Sequence, residues 1–225
     1  MYTLYVTDGI LWSTTGEHKV ERPTVWAIFA SAARVALFLW KGRGKMEVWD
    51  LYDEHRRPLG RTARRDEPLR PGEYHVVVGI WVFDGRGHIL LTRRDAAKRY
   101  MPGKWENTGG HVVSGEDSPA AAARELAEET GIQARPEEFI YLGTVKLSPF
   151  FGDNYALVRD VPAEAVTLQP GETDAARWVS LEEFEALAAA GQLAGSVYEH
   201  LKQYREAFDR AFSASQRNGQ EEAER

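Results

Sequence analysis

The run GHVVSGEDSPAAAARELAEETGI, from Gly110 to Ile132, constrains this chain more than any other stretch. Written as a pattern it is G-x5-E-x7-R-E-U-x-E-E-x-G-U, with U an aliphatic residue, and every fixed position is filled. Ser118 followed by Pro119 reads as a helix start: a hydroxyl cap, then a proline whose missing N–H costs nothing there. Ala120 to Ala123, Leu126 and Ala127 are good helix formers, and Gly131 supplies the stop. Within that helix Glu125, Glu128 and Glu129 stand at i, i+3 and i+4, so their carboxylates share a face. Like charges repel at those spacings, and Glu128 and Glu129 sit near the negative end of the helix dipole. Something positive must offset this, and a hard divalent cation with oxygen ligands fits best. The competing account is a solvated acidic face with Arg124 paired to Glu128. Gly110, Glu116, Arg124 and Gly131, all in register with the glutamates, weigh against it.

The rest of the composition narrows the class. At 225 residues there is room for one ordinary domain and a substantial extension. An apolar fraction of 43% and a charged fraction of 28% describe a soluble globular chain. The net charge of −6 argues against binding a nucleic acid polymer or an anionic membrane. Cysteine is absent, which excludes disulfides, thiolate metal sites and cysteine nucleophiles and suits a reducing cytoplasm. Thr24 to Trp40 is largely apolar, with Arg34 its only charge. It is at the lower limit of roughly 17–25 residues for a membrane span, and an arginine in mid-segment is costly there. Residues 1–45 are therefore read as an extension without a membrane role, either a packed accessory element or sequence upstream of a start at Met46. The domain proper is expected over 46–212. From Ser213 the polar run rich in Gln, Asn, Gly and Glu reads as a disordered tail.

Period-2 alternation and turn residues predict strands at Met46–Tyr52, Leu59–Arg64, Tyr74–Phe83, His88–Thr92, Glu106–Thr108, Phe139–Lys146, Tyr155–Val161 and Arg177–Val179. Helices are predicted at Leu181–Ala190 and about Ser196–Phe212. This order implies an α+β fold with a mixed sheet between helices. Arg93 and Arg94 end a strand, where one can clamp a phosphate group while the other is solvated. Phe150-Phe151-Gly152-Asp153-Asn154 reads as a substrate-specificity loop, since paired aromatics beside a polar turn are unusual in a plain hairpin. His75, inside a buried strand, reads as a core histidine, and His111 as a residue at the edge of the site.

The Gly110–Ile132 pattern is that of the Nudix family, whose members typically hydrolyse diphosphates linked to another moiety using divalent metal. The segments WDLYDEHRRPLG, EYHVVVGIWVF, ILLTRR, PGKWENTGGH and RWVSLEEF resemble the branch that includes isopentenyl-diphosphate isomerase. The resemblance implies a Nudix α/β/α sandwich. It implies Glu125, Glu128 and Glu129 as metal ligands, Gly110 as a carbonyl ligand, Glu116 as an auxiliary carboxylate and Arg124 as the residue that orients the box. Mg²⁺ or Mn²⁺ is the implied cofactor, and either Glu128 or Glu172 the general base. In the isomerases His75 and His111 would match metal-ligand histidines, but their catalytic cysteine belongs just before the Gly-His pair, where this chain has Thr108 and Gly109.

The expected activity is thus metal-dependent hydrolysis of a nucleoside diphosphate or a nucleoside-diphosphate-linked compound in the cytoplasm, by a chain for which a homodimer is open. The alternatives are an isomerase-like enzyme, disfavoured by the missing thiol, and a non-catalytic binding module, disfavoured by the intact glutamates.

Overall fold

The computed structural model of the chain describes residues 4–7, 10–13, 47–195 and 197–223. The chain divides into two compact units, residues 1–47 and 48–225. In the first, strands β1 (Leu4–Thr7) and β2 (Ile10–Ser13) form an antiparallel hairpin, Leu4 opposite Ser13 and Thr7 opposite Ile10. The apolar run Thr24–Trp40, with the reading given to it above, lies outside the described residues.

The second unit opens with a hairpin of β3 (Val48–Tyr52) and β4 (Pro58–Arg64). Its main sheet contains β5 (His75–Phe83), β6 (His88–Arg94), β7 (Trp105–Glu106), β8 (Thr108–His111), β9 (Ile140–Leu147), β10 (Phe150–Val158) and β11 (Thr173–Ser180). The order across it is β11-β6-β5-β10-β9, with β7 on β6 and β8 on β5. β5 and β10 run parallel while the other pairings are antiparallel, so the sheet is mixed, as expected. Four helices accompany it: α1 (Ser118–Thr130), α2 (Leu181–Ala189), α3 (Val197–Leu201) and α4 (Arg205–Ala223). Among the described residues no helix is long and apolar enough to cross a membrane.

β5 shows how the layers arise. Side chains alternate across a strand, and Val76, Val78, Ile80 and Val82 join Leu126, Ala121 and Ala122 of α1 in one core. Trp81 and Phe83 face the other way, into a core with Phe184 of α2 and Phe208 and Phe212 of α4. There the rings meet edge to face, Trp81 on Phe208 at 5.1 Å and Phe83 on Phe212 at 5.2 Å. Trp81 Nε1 donates to the buried Tyr204 hydroxyl at 3.1 Å, so the one polar atom of that indole is satisfied. Phe208 is fully buried, and truncating such a ring to alanine typically costs about 3–5 kcal/mol.

Two sequence expectations need correction. The segment from Ser213, expected to be disordered, continues α4 as far as Ala223. Phe208, Ala211, Phe212 and Ser215 are all buried, at i, i+3, i+4 and i+7, so the apolar stripe outlasts the apolar composition. Ser215 fits there because its hydroxyl donates to the Phe212 carbonyl at 2.7 Å. The supposed loop Phe150–Asn154 is the first half of β10, each residue in parallel register with His75–Gly79. The run of Phe150 to Val158 is buried along almost its whole length, and a strand buried on both faces loses the alternation by which strands are read.

Candidate active site

α1 begins one residue earlier than its hydroxyl suggested. Asp117 is the cap, its carboxylate accepting from the Ala120 N–H at 2.9 Å, while the Ser118 hydroxyl bonds the Tyr155 hydroxyl at 2.8 Å. Gly131 ends the helix with φ 74° and donates to the Ala127 carbonyl at 3.1 Å, the left-handed stop its sequence position called for. The buried stripe Ala121, Ala122, Leu126 and Thr130 fixes the helix on the sheet, which turns the glutamates toward β8 and the loop after it.

Arg124 is the hub. Its Nη2 donates to Glu116 at 3.0 Å and to the His111 carbonyl at 2.8 Å, and its Nη1 to Glu125 at 2.8 Å and Glu128 at 3.4 Å. Burial works against its charge, but Glu116 and Glu125 outweigh it and hold the guanidinium charged more firmly than usual. One arginine therefore ties together the loop glutamate, two helix glutamates and the end of β8, a use of its five donors that lysine cannot copy.

Gly110 leaves room for Glu125: a Cβ there would stand 2.0 Å from the Glu125 Cδ. Glu129 is deeper. Burial, then Glu125, then Glu106 push its carboxyl up to about 8, against the pull of a hydrogen bond from the Gly109 N–H. Glu106 is raised by burial against the attraction of Arg94, whose Nη1 reaches both of its oxygens at 2.9 Å. Lys98 lies in the same field: burial and then Arg94 lower its pKa, while Glu129 and Glu106 oppose them. Lys98 is ion-paired with Glu172, which brings the second candidate base to the edge of the cluster.

Glu106 and Lys98 did not emerge from the sequence as site residues. The available signal was a lone glutamate in the short strand before the glycine pair, aligned with Thr92, two residues from Arg94.

Arg93 pairs with Asp174 at 2.7 Å and lies over Trp105, whereas Arg94 holds Glu106, so both arginines already have partners. Phe151 is buried beside Tyr74, with ring centres 5.1 Å apart. Phe150 is half-buried and lines a cleft with Val77, Gly79 and Asn154. His75 and His111 lie near-parallel to the Trp49 indole at 4.3 and 4.5 Å, and 5.2 Å from each other, which tiles them side by side on one face of it. Burial, then His75, Arg65 and Arg124, press the His111 imidazolium down to about 3, so that ring is neutral near pH 7. His75 is lowered as well, by burial.

Whether a divalent cation suits this cluster turns on its donors. Among the described residues no three acidic or imidazole side chains converge on a single point, because Arg124 draws Glu116, Glu125 and Glu128 around itself. The donor chemistry nonetheless fits a hard cation: every candidate ligand is oxygen. Burial, then Glu125 and Glu106, raise the Glu129 carboxyl, which is the deficit of positive charge that such an ion would fill.

A glutamate-bearing helix, braced by arginine beside a glycine strand in an α/β/α sandwich, defines a hydrolase acting on phosphorus anhydrides. The NUDIX domain model matches residues 73–201, and the chain belongs to the Nudix family. An uncharacterised Nudix hydrolase of Listeria monocytogenes is 36% identical over 148 residues, covering 65% of this chain and 88% of that protein. The isopentenyl-diphosphate Delta-isomerase of Streptomyces griseus is 35% identical over 106 residues, which is 47% of this chain and 53% of the isomerase. Among solved structures, DR0079 from Deinococcus radiodurans shares the fold, with a TM-score of 0.59 at 24% identity, covering 70% of this chain and 99% of its own.

Proposed function

We propose that this chain cleaves the diphosphate bond of a nucleoside diphosphate or a nucleoside-diphosphate-linked compound, using Mg²⁺ or Mn²⁺. The observation that carries the reading is the gathering of Glu116, Glu125 and Glu128 around Arg124 against the bare Cα of Gly110, with the half-buried Glu129 beside them, a cluster whose candidate ligands are all oxygen. Glu125, Glu128, Glu129, the Gly110 carbonyl and Glu116 would hold the metal. When bound, the metal supplies charge neutralisation of the diphosphate and a water of lowered pKa.

The chain's own residues do the rest. Arg124 orients Glu116 and Glu125 and, through the His111 carbonyl, fixes the end of β8 against the helix. Glu128 is the better placed base, since it is exposed and its contact with Arg124 is long, 3.4 Å. Glu172 is committed to Lys98. Lys98, and whichever of Arg93 and Arg94 exchanges its carboxylate for phosphate oxygens, would meet the substrate's charge. The small-molecule reading agrees with the net charge of −6, which disfavours a nucleic acid polymer as substrate.

The deciding experiment is a hydrolysis screen over nucleoside diphosphates, nucleotide sugars, dinucleotides and prenyl diphosphates with Mg²⁺ or Mn²⁺, repeated in chelator. Metal-dependent release of a nucleoside monophosphate is expected. Turnover that survives complete chelation would overturn the reading.

A further inference from the structure

A second feature lies on the far face of the strand that carries Gly109. In β5 the residues Val76, Val78 and Ile80 face α1, so Val77 and Gly79 face the other layer. Gly152 and Asn154 of β10 stand opposite these two in register, and Gly109 of β8 stands opposite Gly79. Over this patch close His200 and Tyr204, leaving a cleft of about 180 Å³. That is below the roughly 300–1,000 Å³ of sites that enclose a whole drug-sized ligand, so it suits one ring system of a larger ligand, and its lining is mainly apolar.

Two side-chain amides interrupt the apolar wall. Asn154 donates from Nδ2 to the Gly152 carbonyl at 2.8 Å, which leaves its Oδ1 turned over Gly79, 2.7 Å from where a Cβ would stand. Asn107 brings its Nδ2 to 3.1 Å from the same point, and its only hydrogen bond among the described residues is a long one, 3.4 Å, to the Thr108 carbonyl. The bare Cα of Gly79 thus lets an acceptor and a donor meet over one spot. Phe150 offers a ring to the same cleft.

We propose that this cleft receives the base of the nucleotide, and that Asn107 and Asn154 read its hydrogen-bonding edge. This assignment rests on the function proposed above and names the specificity residues of that same site. A planar heterocycle with neighbouring donor and acceptor atoms satisfies both amides while its faces meet Val77, Val145 and Phe150. A prenyl tail would fill the apolar volume but strand both amide atoms, a mismatch that sites built for hydrogen bonding reject strongly. A bare sugar would waste the apolar walls. The cleft and the carboxylates share one strand pair, because the Gly109 N–H donates to Glu129 while Gly109 pairs with Gly79, and Asn107 directly follows Glu106.

The test measures kcat and KM for ADP, GDP, CDP and UDP with the wild type and with Asn107→Asp, Asn154→Asp and Gly79→Ala. Binding of the four nucleoside monophosphates is followed in parallel by NMR titration in chelator. Asn107→Asp replaces a donor with an acceptor at almost unchanged size, so the ranking of the four bases should shift by about tenfold or more. Gly79→Ala should raise KM about tenfold to a hundredfold with kcat little changed, and Asn107→Asp keeps the test valid if that variant fails to fold. Base-dependent binding that the asparagine variants alter, in a protein that hydrolyses none of the diphosphates, would support the cleft and sink the proposed function alone. The same base ranking and the same monophosphate affinities in every folded variant would overturn the cleft assignment.

Discussion

The carboxylate of Glu125 rests against the bare Cα of Gly110, so closely that a methyl group there would overlap its Cδ at 2.0 Å. The glycine that opens the sequence pattern is therefore required by a side chain fifteen residues on, as well as by any carbonyl role of its own. Gly110→Ala should push Glu125 off its 2.8 Å bond to Arg124. The clash is with the end of a flexible side chain, so the fold should survive with a loss of about 1–3 kcal/mol. A displacement of this kind at a reacting centre is typically worth about 10²-fold in rate. Urea denaturation and steady-state kinetics together check the pair of outcomes, and a variant with unchanged kcat would remove Glu125 from the site.

Glu128→Gln separates catalysis from stability more cleanly. The side chain is 42% exposed and meets Arg124 only at 3.4 Å, so its loss should change stability by no more than about 0.5 kcal/mol. Removing a repelling charge near the C-terminal end of α1 should, if anything, help. Turnover should fall by about 10³-fold or more if the carboxylate is both ligand and base. Mg²⁺ should raise the wild-type Tm, as any ligand specific to the folded state does. Near-normal kcat in this variant would contradict the proposed role.

These two glutamates also show where a sequence suffices and where it does not. The helix, its Gly131 stop and the shared face of Glu125, Glu128 and Glu129 follow from local spacing, and α1 has them all. Its cap moved from Ser118 to Asp117 because Tyr155, distant in sequence, claims the serine hydroxyl. Glu106 and the amides over Gly79 reach their places through strand pairing, and Lys98 through its ion pair with Glu172, none of which a local pattern encodes. Ser215 shows the converse: composition marked it as tail, but one hydroxyl bond back to Phe212 lets it be buried in a helix.

Acid stability should depend on Asp153. Burial alone would raise its pKa, yet the Arg56 hydrogen bonds, one of them 2.6 Å, then Thr144 and Ser118, outweigh this and hold it below the ordinary aspartate value. A carboxylate with a depressed folded-state pKa stabilises the fold above its unfolded pKa of about 3.9, and the contribution fades as pH falls through the lowered value. Asp153→Asn should cost about 2 kcal/mol at pH 7. That is less than for a fully buried pair, because 37% of the Arg56 side chain stays in water. The gap between wild type and variant should shrink steadily below about pH 4. Denaturation curves at pH 7, 5, 4 and 3 decide it, and a gap independent of pH would show that the pair contributes packing alone.

The isomerase reading meets its test in the same strand. Isomerisation of isopentenyl diphosphate needs an acid and a base on opposite faces of the alkene, and the resemblance to the isomerases implies a thiol just before the Gly110-His111 pair as one of them. Here Gly109 has no side chain and Thr108 is 3% exposed, an alcohol far weaker in acidity than a thiol. His111 is held neutral by burial and by His75, so it offers no imidazolium proton near pH 7. Hydrolysis needs none of these groups, only the divalent metal, a positioned water and a carboxylate base. We therefore expect no dimethylallyl diphosphate from isopentenyl diphosphate with Mg²⁺ or Mn²⁺ present, by gas chromatography of the dephosphorylated products. Sustained isomerisation that disappears on substituting His75 or His111 would place the chemistry on the face of the Trp49 indole and not at the glutamates of α1.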